Sequence, residues 1–230
     1  MTTLYVVATP IGNLKDTSER IRETLANVSL VLAEDTRRTK ILLSYLGLSP
    51  RLVSYHHHTT AKRLQEILDL INNQSVALVS DAGTPGISDP GGVLIARAWE
   101  RYGDNFRAIP IPGPCALVAA VSVCGFPADE FIFFGFPPHK KGRETFFDNL
   151  AETVKTVVFY ESPHRLVKTL HSLVRRQPER MLVVAREMTK KFETIYRGTT
   201  LSVAEKLSSA LPPGEYTLVL APRDYRGPAK

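Results

Sequence analysis

The stretch that most constrains this chain is Val76–Gly92, reading VALVSDAGTPGISDPGG. Val76, Ala77, Leu78 and Val79 are small or β-branched and uncharged. A run of that kind, bounded by turn residues, suits a strand covered on both faces of a parallel sheet. The chemistry then changes over Ser80–Gly86, where every residue is small, polar or conformationally special. Glycine lets the backbone approach a ligand closely, and Pro85 fixes one dihedral. Asp89-Pro90 predicts a helix start, with Asp as N-cap and Pro at the first helical position. Val93, Leu94, Ala96 and Trp99 carry that helix on to Tyr102. The irregular loop therefore lies at the carboxyl end of a parallel strand, where open α/β sheets bind their ligands.

The same grammar recurs along the first half of the chain. Leu4–Ala8 reads as a strand running into the loop Thr9-Pro10-Ile11-Gly12-Asn13, and a helix follows over Thr17–Ala26. Leu30–Ala33 is a second apolar run, ending in Glu34-Asp35-Thr36-Arg37-Arg38 before a helix through Ile41, Leu42, Tyr45 and Leu46. An N-cap accounts for Asp35 or Thr36 but not for all the charges gathered there. Arg51–Tyr55 predicts a short strand and Ala61–Asn72 an amphipathic helix on Leu64, Ile67, Leu68 and Ile71. Arg107–Pro110 runs into Ile111-Pro112-Gly113-Pro114-Cys115-Ala116 and a helix of small residues. Four strand ends carrying special loops predict a doubly wound parallel sheet.

Beyond Gly125–Asp129 the pattern shifts. Strands are expected over Phe131–Phe136, Thr156–Tyr160, Met181–Ala185, Glu193–Gly198 and Glu215–Leu220, with helices over Glu144–Ala151, from Ser162 through Leu173, and over Leu201–Leu211. Their closer spacing predicts a mixed sheet. The chain thus reads as two α/β domains, 1–126 and 127–230, with a cleft between them.

Composition narrows the function. The chain has 230 residues, 43% hydrophobic and 23% charged, which is ordinary for a globular protein with a real core. No apolar run is long enough to span a membrane, and the chain enters a strand at once, so no signal peptide is expected. Cys115 and Cys124 lack CxxC spacing and read as reduced thiols, which makes the cytoplasm the expected compartment. His56-His57-His58 makes a poor preformed metal cage, and no metal-ligand spacing occurs elsewhere. Neither GxGxxG nor GxxxxGK[ST] is present, which disfavours a Rossmann site and excludes a P-loop. The net charge of +6 is compatible with RNA and equally with a solvated basic surface. Acidic residues at the strand ends (Glu34, Asp35, Asp81, Asp89), with no basic cradle in the Asp81–Asp89 loop, favour an uncharged or cationic ligand over a polyphosphate.

In order along the chain, TPIGNL, AEDTR, SDAGTPGISDPG, PGPCA, YESPHR and REMTK span residues 9 to 190. Together these blocks resemble the ribosomal RNA small subunit methyltransferase I family, bacterial 16S rRNA cytidine 2′-O-methyltransferases. That family belongs to the tetrapyrrole-methylase-like class of S-adenosylmethionine enzymes. The resemblance implies S-adenosylmethionine bound in the cleft between two α/β domains, a homodimer, and methyl transfer to a cytidine 2′-hydroxyl in the decoding region of the small subunit. It implies cofactor roles for Pro10, Asp81, Thr84, Ile87, Cys115 and Ala116. Thr84 stands where relatives carry the Asp of a GGDP-like loop. From the second domain, Tyr160, Arg186 and Thr217 are candidates for the same pocket. The resemblance also implies a helical tail after the last strand, which is not seen in a chain ending Arg223–Lys230. Either a natural short form or a truncation is implied; if the tail helps to grip RNA, substrate affinity is affected and cofactor binding is not.

Transfer from a sulfonium is an in-line displacement, so positioning carries much of the rate. The ribose hydroxyl needs a base, for which Glu34, Asp35, Glu187 and Lys190 are the candidates; Lys190 could instead acidify the hydroxyl while charged. Arg37, Lys140, Lys141, Arg143, Arg165 and Arg186 are the expected phosphate ligands. Surface ion pairs are the plainer reading of any one of these residues. Two other functions fit the fold class: a small-molecule methylase acting on a tetrapyrrole, and a non-catalytic RNA-binding or ribosome-assembly factor.

Overall fold

The computed structural model describes residues 1–208 and 212–227; residues 209–211, which end the helix expected over Leu201–Leu211, and the terminal 228–230 lie outside the described residues. The chain divides into two units, Met1–Cys115 and a second beginning at Ala116.

The first unit holds the strands β1 (Thr2–Val7), β2 (Leu30–Ala33), β3 (Arg51–Ser54), β4 (Val76–Val79) and β5 (Phe106–Ile111). They form one sheet in the order β3-β2-β4-β1-β5, every pair parallel. Its helices are α1 (Glu19–Asn27), α2 (Thr36–Tyr45), α3 (Ala61–Asn73) and α4 (Gly91–Tyr102). Strand periodicity sorts the core into two layers. Leu4, Leu30, Leu32, Val76 and Leu78 pack with Ile67, Leu68 and Ile71 of α3 and Leu94 and Ala98 of α4. Val7, Val31, Ala33, Ala77 and Val79 point the other way, onto Ile21 and Leu25 of α1 and Leu42 and Leu43 of α2. The sheet is therefore doubly wound, as the sequence predicts.

This winding fixes where a ligand can sit. β4 leads into α4 on one face, whereas its neighbours β1 and β2 lead into α1 and α2 on the other. The chain parts to opposite faces on both sides of the β4 carboxyl end, and a crevice opens at such a point.

The second unit holds α5 (Ala116–Cys124), β6 (Phe131–Phe133), α6 (Arg143–Glu152), β7 (Thr156–Glu161), α7 (Pro163–Arg176), β8 (Met181–Arg186), β9 (Thr194–Thr199), α8 (Thr200–Ser208) and β10 (Tyr216–Leu220). Its sheet runs β6-β7-β10-β8-β9 and is mixed: β6 pairs parallel with β7 and the other pairs are antiparallel. Phe147, Leu150, Phe159, Leu166, Leu170, Leu173 and Leu218 are the centre of its core. Arg180 is buried as well, and its guanidinium donates to the carbonyls of Leu150, Thr153, Lys155 and Ala221 and to Gln177 Oε1, at 2.8–3.2 Å. Burial pulls its pKa down to about 10, so it stays charged at neutral pH.

Three details differ from the sequence reading. α5 groups with the second unit, packed on β7 and β10, so the division falls before it rather than at the 126/127 junction. β6 ends at Phe133 rather than Phe136, because Gly135 turns the chain with φ +62°. The helix expected to begin at Pro90 is assigned from Gly91, with Pro90 already in the right-handed helical region; the Asp89 carboxylate accepts from Gly91 N, as a cap would, and also from Gly86 N, both at 2.8 Å. Among the described residues no helix is long and apolar enough to cross a membrane.

Candidate functional site

The loops after β1, β4 and β5 are stitched together at the β4 carboxyl end. Thr9 and Gly83 exchange both backbone hydrogen bonds, at 2.9 and 3.0 Å. Thr9 Oγ1 donates to Ser80 O at 3.1 Å, and Ser80 Oγ to Gly83 O at 2.9 Å. Thr84 Oγ1 donates to Pro114 O at 3.1 Å, tying this loop to the one that ends at Cys115. Gly83 has φ +84°, and a Cβ there would stand 3.3 Å from Ile11 Cγ2 and 3.5 Å from Pro114 O. Only glycine takes that conformation without strain. Of the six cofactor candidates, Pro10, Asp81, Thr84, Ile87 and Cys115 therefore lie on this one loop cluster of the first unit. Ala116 follows as the first residue of α5 in the second.

Carboxylates gather beside the cluster. Asp81 Oδ1 accepts from the backbone N–H of Asp35 at 2.8 Å, and Asp81 Oδ2 faces Arg38 at 3.4 Å, linking the ends of β4 and β2. Asp35 caps α2: its carboxylate accepts from Arg37 N at 2.8 Å and from the Arg37 guanidinium at 3.0 and 2.7 Å. Those hydrogen bonds hold its pKa far below the usual carboxylate range. Such a group is a poor proton acceptor, and the pairing also occupies Arg37. Glu34 is the opposite case. Burial raises its pKa, the charges of Asp81 and Asp89 raise it further, and His57 and His56 oppose them. Of the two adjacent acids, Glu34 has the environment of a base and Asp35 that of a cap.

In the second unit, the Leu117 backbone N–H at the start of α5 donates to Tyr160 Oη at 3.2 Å. Thr217 lies directly across the β7–β10 ladder from Tyr160 and is buried. Ala116, Tyr160 and Thr217 are thus neighbours. Arg186 is elsewhere engaged, donating to Pro213 O at 3.0 and 2.7 Å and to Phe192 O at 3.0 Å.

The other two base candidates sit in a strained turn after β8. Glu187 and Thr189 are non-glycine residues at φ +51° and +68°, conformations that cost on the order of 1–3 kcal/mol each. Lys190 Nζ bridges Glu187 Oε1 and Glu215 Oε2, both at 3.0 Å. Burial opposes charge on Lys190, but the hydrogen bonds it donates to Glu215 and Glu187 outweigh it and hold the ammonium above its usual pKa. Burial likewise opposes charge on Glu187; the Glu215 N–H and Lys190 outweigh it and hold the carboxylate below its usual pKa. Both residues are locked in their charged forms, which removes Lys190 as a neutral base.

The basic residues expected to face RNA separate into two kinds. Lys140 and Lys141 are exposed at the tip of a loop. Arg143 is only 3% exposed; it donates to Pro138 O at 3.1 Å and to Thr169 Oγ1 at 2.6 Å. Arg165 donates to Pro137 O at 2.8 Å and pairs with Glu161 at 2.6 Å. Glu161, 1% exposed, also accepts from Ser162 N at 2.8 Å and Thr169 Oγ1 at 2.5 Å, with Arg143 3.8 Å away. Arg143 and Arg165 therefore leave the phosphate-binding set: their charge is spent on Glu161, and their donors hold the two proline carbonyls at the base of the lysine loop. The sequence reading missed Glu161 as a structural hub. The signal was present in YESPHR, where a carboxylate ends a buried strand four residues before an arginine.

The arrangement can be set beside known proteins. Residues 3–204 match the model of the tetrapyrrole (corrin/porphyrin) methylases. A protein of Synechocystis named ribosomal RNA small subunit methyltransferase I is 46% identical over 95% of this chain and 78% of its own length. One of the same name from Thermotoga maritima is 41% identical over 96% of this chain and 99% of its own. In three dimensions the chain resembles uroporphyrin-III-C-methyltransferase from Thermus thermophilus, with a TM-score of 0.65 over 96% of this chain and 94% of that one at 20% identity, a likeness of fold alone.

Proposed function

The chain belongs to the tetrapyrrole methylase family and, within it, to the ribosomal RNA small subunit methyltransferase I group; from that membership we propose that it transfers the methyl group of S-adenosylmethionine to a ribose 2′-hydroxyl of small-subunit rRNA, at a cytidine of the decoding region. The observation that carries the reading is the glycine-centred loop cluster at the β4 carboxyl end. Its loops approach so closely that a Cβ at Gly83 would meet Ile11 and the Pro114 carbonyl, and the Asp81 and Asp35 carboxylates beside it take up the nearby arginines. That donor set fits a cationic cofactor with a flat, uncharged base. Pro10, Asp81, Thr84, Ile87 and Cys115, gathered on that cluster, are the residues that would hold it.

Bound there, the cofactor supplies a methyl group on a sulfonium and leaves as a neutral thioether. The remaining work falls to the chain. Its loops must hold the ribose oxygen in line, which supplies much of the rate. Glu34, its pKa raised by burial and by Asp81 and Asp89, takes the hydroxyl proton; positioned bases of this kind contribute about 10²–10⁴-fold. In the second unit Lys190, locked as a cation between Glu187 and Glu215, is suited to holding an RNA phosphate. Lys140 and Lys141 attract the RNA backbone. We extend the reading to a cytoplasmic homodimer acting on rRNA in the small subunit.

Binding of S-adenosylmethionine tests the site. At about 100 times its dissociation constant it should stabilise the protein by about 2.7 kcal/mol, read as a shift of the thermal transition. Asp81→Ala should weaken that shift. No shift and no heat of binding would remove the cofactor from the account.

A further inference from the structure

We infer that Phe136, backed by Tyr160, is a stacking platform for an unpaired base of the RNA, set beside the phosphate-binding lysines Lys140 and Lys141. This deepens the rRNA-methyltransferase reading and rests on it.

Phe136 is 52% exposed, unusual for a phenylalanine on a rigid segment. One side of its ring packs against Tyr160, with centroids 5.5 Å apart and planes tilted by 57°. Tyr160 is braced in turn by Phe133 at 5.0 Å. The backbone beneath is fixed on both sides. Before Phe136, Phe134 N–H donates to Val158 O at 3.0 Å, and Tyr160 N–H to Gly135 O at 2.8 Å. After it, Arg165 and Arg143 hold the carbonyls of Pro137 and Pro138, and both guanidiniums are anchored on the buried Glu161. The loop closes where Arg143 N–H donates to Lys140 O at 3.2 Å. The exposed ring is thus held still, and His139, Lys140 and Lys141 follow it within five residues, all exposed.

An exposed, immobilised aromatic beside cations is the construction by which proteins hold single-stranded nucleic acid: the cations track the backbone and the ring takes a base face. Sequence-specific proteins take hold of RNA mostly at single-stranded nucleotides whose bases are splayed out, and a stacking ring compensates such a base for its missing neighbours. Tyr160 also binds the first turn of α5 through Leu117 N–H, so within the second unit the platform adjoins the residues assigned to the cofactor.

The test uses the full chain and a short single-stranded RNA carrying one pyrrolo-cytidine, whose fluorescence falls on stacking. Three variants are compared: Phe136→Leu, Phe136→Trp, and Lys140→Ala with Lys141→Ala. Phe136→Leu should weaken RNA binding by about 5- to 150-fold, the range for loss of one stacked base, and abolish the quenching while leaving the salt dependence unchanged. Phe136→Trp should restore both. The lysine variant should keep the quenching but lower the salt slope by about 0.7 for each phosphate no longer neutralised. S-adenosylmethionine binding should be equal in all, which also reports that they fold. Wild-type affinity and quenching retained in Phe136→Leu would overturn the platform alone. A Phe136→Leu variant changed only in oligomeric state would overturn it in favour of a protein interface. A wild-type protein that binds the cofactor but no RNA would overturn the rRNA reading and the platform with it.

Discussion

Replacing Glu161 by glutamine should destabilise the second unit far more than its conservative shape implies. The carboxylate is 1% exposed and takes hydrogen bonds from Ser162 N, Thr169 Oγ1 and Arg165, with Arg143 3.8 Å away. Glutamine fills the same volume, but its NH₂ must face a group that already donates. Two guanidiniums, with side chains 4% and 15% exposed, lose the carboxylate they share. Arg143 Nε is already buried without a partner, so that residue has no reserve of hydrogen bonds. Breaking a buried pair by removing one partner costs about 3–5 kcal/mol, against a typical total stability of about 5–15 kcal/mol. At about 2–4 °C per kcal/mol for a chain of this size, the midpoint should fall by roughly 6–20 °C. Urea and thermal unfolding followed by circular dichroism measure it. Adding Arg143→Met to Glu161→Gln should recover part of the loss, since one stranded charge is removed. A Glu161→Gln variant within about 1 kcal/mol of the parent would refute the reasoning, because the arginines would then not depend on Glu161.

Three further outcomes follow from the geometry. Gly83→Ala forces a left-handed φ of +84° on a residue whose Cβ crowds Ile11; it should cost about 1–2 kcal/mol in unfolding experiments and weaken cofactor binding measured by calorimetry. Arg180→Lys leaves at least two of five acceptors without a donor, at about 1–3 kcal/mol for each one buried, visible as a lower urea midpoint. Glu34→Gln should slow methyl transfer by about 10²–10⁴-fold and flatten the rise of rate with pH that the parent shows as Glu34 loses its proton. Its stability effect has a definite sign: a carboxyl whose folded pKa is raised contributes stability below its unfolded pKa and loses it as pH rises through the folded one. The variant should therefore compare best with the parent at neutral pH and worst in acid.

The first unit was legible because a parallel sheet buried on both faces writes itself as uncharged β-branched runs ending in turn residues. Val76–Val79 and the loop to Asp89 gave the strand and the irregular loop at its carboxyl end together. What the sequence could not carry were choices made by tertiary partners. Asp89 had the signature of a helix cap and accepts from Gly91 N as one, but nothing local says that the same oxygen also holds Gly86 N across a tight loop. Helix α5 follows a loop typical of the first sheet, yet packs on β7 and β10. Arg143 and Arg165 read as two more cations of a basic stretch, because nothing local says that a glutamate at the end of β7 is buried between them. Glu34 and Asp35, adjacent in sequence, are separated in environment by one hydrogen-bonding arginine.

The most direct test of the account is transfer of labelled methyl from S-adenosylmethionine to purified small ribosomal subunits lacking the modification, with free rRNA and a tetrapyrrole alongside. Label in the subunit RNA, mapped to the ribose 2′-oxygen of a cytidine and reduced by Glu34→Gln, is the predicted result. Label confined to the tetrapyrrole, or none in RNA from a protein that binds the cofactor, would contradict it.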